Sequence, residues 1–423
     1  MTNNTSLPAI NNTDDYDPNS LSVDQARSII HRYLNPIRRI EEIAVYDSLE
    51  RITAEDLIAP LSVPSSDYSA MDGYAFHSGE LRNHDVTLRV VGSVFAGHPF
   101  QDKVPPGCAV RIMTGAVIPE SLDTVVMQEL VVREEEIIRF SSHGITAGQN
   151  IRRRGEDIRE GAIAIPRGTR ITPAHMGLMA SLGMVNLRVY EPLKVAFFST
   201  GDELVGVGQP LQNGQLYDSN RYSLKGLLTS LRVEARDFGV VRDDPQALKQ
   251  VFHEASLWAD VIISSGGVSV GDADFIKNLM AQLGQVVFWK LAMKPGRPLA
   301  YGKIKNSHFF GLPGNPVAVM VTFYQFVQHA LASLAGQEIR ESVPKVRYPL
   351  VGQIKKIPGR MEFQRGTVFQ NSAGQWQVKT TGNQSSGVLS SMTEANCFIV
   401  LPMDSGSVND GEWVEVELFQ GIL

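Results

Sequence analysis

The sequence predicts a multidomain protein in which a doubly wound, mostly parallel α/β sheet carries the chemistry, with helical and β-rich segments around it. Three observations carry this prediction. Strand and helix patterns alternate from Leu193 to Leu291, the signature of a parallel sheet covered on both faces. One of the strands, Val261 to Ile263, runs directly into Ser264-Ser265-Gly266-Gly267-Val268-Ser269-Val270-Gly271-Asp272-Ala273-Asp274. Beyond about residue 340 the helical spacing stops, and Trp413-Val414-Glu415-Val416-Glu417-Leu418 alternates strictly, as in a small barrel or sandwich.

Taken in order, residues 1–20 are polar and rich in Asn and Asp, which predicts a disordered tail. Ser22-Val23-Asp24-Gln25 reads as a capping box, and Ala26, Ile29, Ile30, Tyr33 and Leu34 follow at helical spacing. Residues 61–157 hold short strands separated by Gly and Pro, such as Thr87–Val91 and Thr124–Met127, and predict an inserted β-rich module. Helix returns at Ala174 to Leu182, so 158–191 is expected to rejoin 21–60. The pattern changes at Glu191-Pro192. Strands are predicted at Leu193–Phe198, Val233–Val241 and Val286–Leu291, and helices at Ser219–Leu231, Pro245–Trp258 and near Asp274–Leu283. Residues 192–340 thus form the α/β domain and 341–423 the β-rich close.

At 423 residues the chain is too long for one ordinary core. A formal net charge of −6 argues against nucleic acid as the main partner. No apolar run approaches the roughly 20 residues that span a bilayer, so no membrane partner is expected. The first residues show neither a basic segment nor a long apolar stretch, so no signal peptide is expected. Cys108 and Cys397 are the only cysteines, far apart and outside any CxxC, which suits a reducing cytoplasm.

In an open α/β sheet, ligands bind at the carboxyl ends of the strands, and the unusual residues sit there. Gly266 and Gly267 permit positive φ and close approach of a ligand. Their N–H groups, with the hydroxyls of Ser264, Ser265 and Ser269, make a cradle for an oxyanion. Asp272 and Asp274 repel an anion, so they make sense there if a divalent cation bridges them to phosphates. The alternative is a tight turn with Asp272 as a helix cap. Ser199-Thr200-Gly201-Asp202-Glu203-Leu204 ends the first strand and Asp243-Asp244 the second. Each acidic pair alone reads equally as a turn or a cap; together, without His or Cys, they favour a hard cation such as Mg2+.

The opposite charge comes from Lys290-Leu291-Ala292-Met293-Lys294-Pro295-Gly296-Arg297-Pro298, three cations around a Pro-Gly turn. Gly311-Leu312-Pro313-Gly314-Asn315-Pro316 is either a second anion nest or a plain strand-to-helix turn. Ser69 to Ala75, around Asp72, and Arg111 to Ala116, around Thr114, read by themselves as turns. Arg152 to Asp157 reads as a solvated basic face. There is no GxxxxGK[ST], no GxGxxG after a strand and no HExxH, and the nine histidines are scattered, which argues against P-loop, dinucleotide, triad and zincin chemistry.

SAMDGYA (69–75), RIMTGA (111–116), RRRGEDI (152–158), FSTGDEL (198–204), SSGGVSVGDAD (264–274), KPGRP (294–298) and GLPGNPVA (311–318), in that order, closely resemble the MoeA/gephyrin E-domain family, the molybdopterin molybdenumtransferases. The resemblance runs from about residue 20 to the end. It implies an elongated helical domain (21–60 and 158–191), the inserted β module, an α/β domain like molybdopterin adenylyltransferase, and a C-terminal β-barrel. It also implies a cytoplasmic homodimer whose site lies between the α/β domain of one subunit and the β module of the other.

The implied substrates are adenylylated molybdopterin and molybdate, with Mg2+ as cofactor, and the implied partners are the adenylyltransferase and molybdoenzyme chaperones. By the same resemblance, Glu203, Asp243 and Asp274 hold Mg2+ or position water, while Ser264, Gly266, Gly267 and Ser269 cradle phosphates. Lys290, Lys294 and Arg297 neutralise oxyanions, and Asp72, Thr114 and Asp157 complete the site across the dimer. Pro313 and Pro316 shape a loop, and Arg365 and Ser386 line the cleft. The sequence departs from the family's pattern at Phe275, where Tyr is expected, and in its polar N-terminal extension. Two alternatives stay open: an adenylyltransferase, and a non-catalytic scaffold like gephyrin.

Overall fold

The computed structural model describes residues 20–82, 84–267, 282–338 and 345–419. The expectations for the tail, for Ser269, Asp272, Asp274 and Phe275, and for most of the helix near 274–283 lie outside them. The chain forms two compact units: Met1–Ile40 with Tyr190–Leu423, and Glu41–Val189.

The first unit opens with helix α1 (Val23–Tyr33). Its capping box forms as the sequence predicts: Ser22 Oγ accepts from Gln25 N at 3.2 Å, and Ser22 N donates to Gln25 Oε1 at 2.9 Å. Val23, Ala26 and Ile30 are buried in one cluster with Val195, Ile263, Phe310 and Leu331. An apolar stripe must be covered by something, and here α1 finds its cover in the α/β core.

That core is a six-stranded sheet. In chain order its strands are β1 (Lys194–Thr200), β2 (Glu234–Val241), β3 (Val261–Ser265), β4 (Gly284–Lys290), β5 (Pro298–Ile304) and β6 (Ser307–Leu312). Their spatial order is β2-β1-β3-β6-β5-β4. The four strands β2, β1, β3 and β6 are mutually parallel, and β5 runs antiparallel to both its neighbours. Two reversals restore the direction, so β4 ends at the same rim as the parallel strands. Val195, Ala196, Phe197 and Phe198 of β1 are all fully buried, as a strand covered on both faces requires. Helices α2 (Asn220–Ser230), α3 (Pro245–Trp258) and α4 (Pro316–Thr322) supply that cover.

Helix α4 passes through a π-helical turn, Phe323–Val327, into α5 (Gln328–Leu334). The whole run Pro316–Leu334 has 19 residues and a mean hydropathy of 1.4, long and apolar enough to cross a membrane. Tyr324, Gln325, Gln328 and His329 interrupt its apolar residues, so no continuous apolar run marks it in the sequence. With 67% of it buried inside the protein, it is a core helix.

The chain closes with five strands: β7 (Val346–Val351), β8 (Met361–Gln370), β9 (Trp376–Thr380), β10 (Cys397–Leu401) and β11 (Trp413–Leu418). They pair in the order β8-β9-β7-β11-β10, and β10 returns to β8, so the barrel is closed. A two-residue strand, Met293–Lys294, adds to β8 in parallel through Met293 opposite Met361 and Lys294 opposite Glu362. The basic loop of the α/β domain is thereby spliced into the barrel.

The second unit contains a six-stranded mixed sheet built from Gly73–Phe76, Asp85–Val94, Cys108–Ile112, Thr124–Met127, Val132–Glu134 and Ile137–Ser141. Outside that sheet, its described residues form short paired strands, such as Leu57–Ile58 with Ile163–Ile165, and one α-helix, Pro173–Ser181. In the segments 21–60 and 158–191, α-helix is therefore confined to α1 and Pro173–Ser181 among the described residues, and the rest is ribbon and turn.

Candidate active site

A cleft of about 630 Å³ opens at the carboxyl rim of the sheet. On one side it is lined by Thr200, Gly201 and Glu203 after β1, and by Asp243 after β2. Ser265, Gly266 and Gly267 after β3, with Pro313, Gly314 and Asn315 after β6, form its floor. Lys294, Pro295, Gly296 and Arg297, between β4 and β5, make the opposite wall, and Arg360, Gln384, Ser385 and Ser386 of the barrel close it. Acidic residues thus stand on one side and cations on the other, because the sheet order separates β1 and β2 from β4 and β5.

Backbone geometry explains the glycines. Gly266 has φ +89°, and a Cβ there would sit 2.5 Å from the Thr200 carbonyl oxygen. Gly296 has φ +97°, and its Cβ would lie 2.6 Å from Thr322 Cγ2 on α4. Only glycine meets both demands.

The serine pair divides by strand alternation. Both serines are buried, but Ser265 lines the cleft and Ser264 does not. Ser265 Oγ lies 3.2 Å from Ser199 Oγ, which donates to Asp218 Oδ1 at 3.0 Å, so a buried chain of hydroxyls holds the start of the glycine loop.

Asp243 has its pKa raised, first by burial and then by the nearby charges of Asp202 and Glu203. The Thr200 hydroxyl, buried and without a hydrogen bond of ordinary geometry among the described residues, is close enough to offset part of this. On the cationic wall, Lys294 Nζ is 3.7 Å from Glu362 Oε1 of the barrel, whose other oxygen accepts from Gln364 Nε2 at 2.9 Å.

The other expected residues fall as follows. Lys290 ends β4 at this rim but does not line the cleft. Pro313 and Ser386 line it; Pro316 instead starts α4, and Ser386 O accepts from Val317 N of that helix at 3.2 Å. Arg365 does not reach the cleft. It is 1% exposed, and its guanidinium donates to Ser391 Oγ at 3.0 Å, Ser385 O at 3.0 Å and Asn383 O at 3.4 Å. It therefore braces the loop that carries Ser386, and burial pulls its pKa down to about 10. Asp274 and Ser269 lie outside the described residues.

Sequence reasoning missed Asn220 and Arg360. Asn220 Nδ2 donates to Gly314 O at 2.8 Å, fixing the turn after β6. A single Asn at a helix start carries no sequence signal of that kind. Gly359-Arg360 repeats the Gly296-Arg297 pairing and offered a faint one.

Within the second unit, Asp72 Oδ1 accepts from both Thr114 N and Thr114 Oγ1 at 2.7 Å. These two bonds, with a smaller contribution from the charge of Arg111, hold the Asp72 pKa below the usual carboxylate range. Two turns with no chemistry of their own thus make one fixed, exposed carboxylate. The basic run is largely paired: Arg152 bonds Glu156 at 2.8 Å within it and Arg153 bonds Asp67 outside it at 2.7 Å, with Asp157 exposed beside them.

Three family descriptions match in chain order. They are the MoeA N-terminal region (domain I and II) over residues 21–183, a probable molybdopterin binding domain over 196–333, and the MoeA C-terminal region (domain IV) over 347–419. The chain belongs to the MoeA family. It is 46% identical over 403 residues to a molybdopterin molybdenumtransferase of Haemophilus influenzae, covering 95% of this chain and 100% of that one. A molybdopterin molybdenumtransferase of Nostoc is 35% identical over 389 residues, with 86% of each covered. The crystal structure of a molybdopterin biosynthesis MoeA protein from Pyrococcus horikoshii superposes with a TM-score of 0.82 at 28% identity, covering 95% of this chain and 100% of that one. The MoeA chain described here is accordingly a transferase of molybdenum cofactor biosynthesis, inserting molybdenum into molybdopterin.

Proposed function

We propose that the cleft takes adenylylated molybdopterin together with molybdate, cleaves the phosphoanhydride that joins nucleotide to pterin phosphate, and leaves molybdenum on the dithiolene as AMP departs. The observation that carries this reading is the acidic rim facing a cationic wall across a single cleft. Lys294 and Arg297 neutralise the pyrophosphate and molybdate oxyanions, and the glycine loop, whose Gly266 N–H is bonded to Leu312 O at 3.1 Å, cradles phosphate oxygens through the Gly267 N–H. Fixed donors of this kind stabilise charge as it develops, without reorganising during the reaction.

A second groove, of about 830 Å³, shares Lys294, Arg297 and Arg360 with the cleft and adds Lys355 and Lys356, giving an extended anionic substrate room to lie. Among the described residues no three His, Cys, Asp or Glu side chains gather closely enough to hold a metal by themselves. Glu203 and Asp243 do fit a hard cation: both line the cleft, and the burial and then the repulsion by Asp202 and Glu203 that raise the Asp243 pKa are what a divalent ion offsets. Those two, with Asp274 as the expected third ligand, would hold Mg2+, which when bound supplies charge neutralisation at the phosphates. Asp72, Thr114 and Asp157 complete the site from the partner in a homodimer.

The test is AMP release from adenylylated molybdopterin. Wild type with Mg2+ and molybdate releases AMP, and Asp243→Ala loses at least about a hundredfold, as expected when a charge-stabilising group is removed. Wild-type binding without cleavage would sink the reading in favour of a carrier or scaffold, and formation of adenylylated product from ATP would favour an adenylyltransferase.

A further inference from the structure

One acid stands among the cations of the groove beside the cleft. Lys294, Arg297, Lys355, Lys356 and Arg360 line that groove, and Glu362 is the only carboxylate among its described lining residues. Glu362 is 5% exposed, and a carboxylate so far from water needs partners. Its Oε1 lies 3.7 Å from Lys294 Nζ, and Gln364 Nε2 donates to its Oε2 at 2.9 Å. Its charge also acts on Lys356, whose pKa is lowered by burial and partly restored by Glu362 and Asp404.

The two lysines are placed differently. Lys356 is buried and already donates to Ser405 O at 2.8 Å and Met403 O at 3.4 Å, so it belongs to the barrel. Lys294 is half-exposed and lines both the groove and the cleft, whereas Glu362 lines the groove alone. Lys294 and Glu362 also stand opposite each other where the short strand joins β8, and opposed residues of a ladder project to one face. One residue thus holds the Lys294 backbone by register and attracts its ammonium by charge. An exposed pair of this kind adds little stability, but its buried, hydrogen-bonded half gives the flexible lysine stem one direction.

We propose that Glu362 is a positioning residue for the transfer: it holds the Lys294 ammonium at the junction of groove and cleft and competes with bound anions for it. The proposal rests on the reading that Lys294 neutralises substrate oxyanions. Under it, an incoming anion takes over an ammonium already in place, and the carboxylate reclaims that ammonium as product leaves.

The experiment uses the full chain, with inorganic pyrophosphate as the calorimetric probe and AMP release as the kinetic one. Glu362→Gln keeps the shape and removes the charge. It is expected to bind pyrophosphate about threefold more tightly at low salt, because the ammonium is no longer shared. Its kcat is expected to fall about tenfold, because the ammonium is no longer held in place. KM and kcat therefore fall together, a pattern that simple loss of folded protein does not produce. In a Lys294→Ala background the same substitution leaves pyrophosphate affinity unchanged, since the shared partner is gone.

Tightening of equal size in both backgrounds overturns the proposal and leaves Glu362 as a general charge of the groove. Unchanged affinity and kcat in Glu362→Gln overturn it as well. Should the glutamine variant not fold, Glu362→Asp carries the test: it draws the carboxylate back from Lys294, and the tightening must again require Lys294. If Lys294→Ala alone binds pyrophosphate as wild type does, the reading of the cationic wall fails first and the proposal with it.

Discussion

Asp243 and Gly266 show how single residues trade stability for chemistry. The folded pKa of Asp243 is raised, so its neutral form is the one the fold favours. Its stabilising contribution is present below the ordinary carboxylate value and is lost as pH rises through the folded pKa. At neutral pH without a cation the ionised group is repelled by Asp202 and Glu203. Asp243→Asn is therefore expected to stabilise the fold slightly, by less than about 1 kcal/mol because the side chain is only partly withdrawn from solvent, while abolishing turnover. Calorimetry with and without Mg2+ checks this: the ion should stabilise wild type and leave Asp243→Asn nearly unmoved.

Gly266→Ala meets the Thr200 carbonyl at 2.5 Å and is expected to cost more than about 1 kcal/mol in urea unfolding along with phosphate affinity. At this scale the sequence was only half legible. It marked Glu203, Asp243, Gly266 and Lys294 because their residue types are unusual at strand ends. The resemblance assigned the phosphate cradle to Ser264, whereas Ser265 lines the cleft, since the side that each serine faces depends on the strand's register and not on composition.

At the scale of elements, Arg365 does its work through a loop. Its guanidinium holds Ser385 O, Asn383 O and Ser391 Oγ from a fully enclosed position. Arg365→Met removes all three bonds and is expected to destabilise the chain by about 2–4 kcal/mol, read from the urea midpoint. Because the loop it braces lines the cleft through Gln384, Ser385 and Ser386, substrate KM should rise more than kcat falls. A residue acting on the reaction itself would show the opposite split.

The alternation of strand and helix from 193 to 291 predicted the α/β sheet correctly, and the alternating close of the chain is a barrel. The antiparallel β5 was invisible, because Pro298–Ile304 reads as another buried run and hydrogen-bond direction leaves no mark on hydrophobicity. The packing of α1 was equally hidden: an amphipathic stripe says that a helix is covered, never by which partner.

At the scale of the whole molecule, the sequence motifs fall in both units, Asp72 and Thr114 in one and Glu203, Asp243 and Lys294 in the other. If a homodimer completes each site with residues from both subunits, two inactive variants should rescue one another. Mixing refolded Asp72→Ala and Asp243→Ala in equal amounts should restore about a quarter of wild-type activity, since half the dimers are mixed and each mixed dimer has one intact site. A site formed within one chain predicts no recovery in the same mixture.

The strand shared between the α/β domain and the barrel also sets a timetable. Lys294 acquires its backbone partner only when Glu362 has been made and β8 has folded, and Ser386 joins the cleft later still. During synthesis the α/β sheet is complete by Leu312, yet the anion-binding wall stays unanchored until the last quarter of the polypeptide has emerged. A chain still on the ribosome therefore lacks an anchored anion-binding wall, and termination within the barrel is expected to leave the rim of the sheet without it.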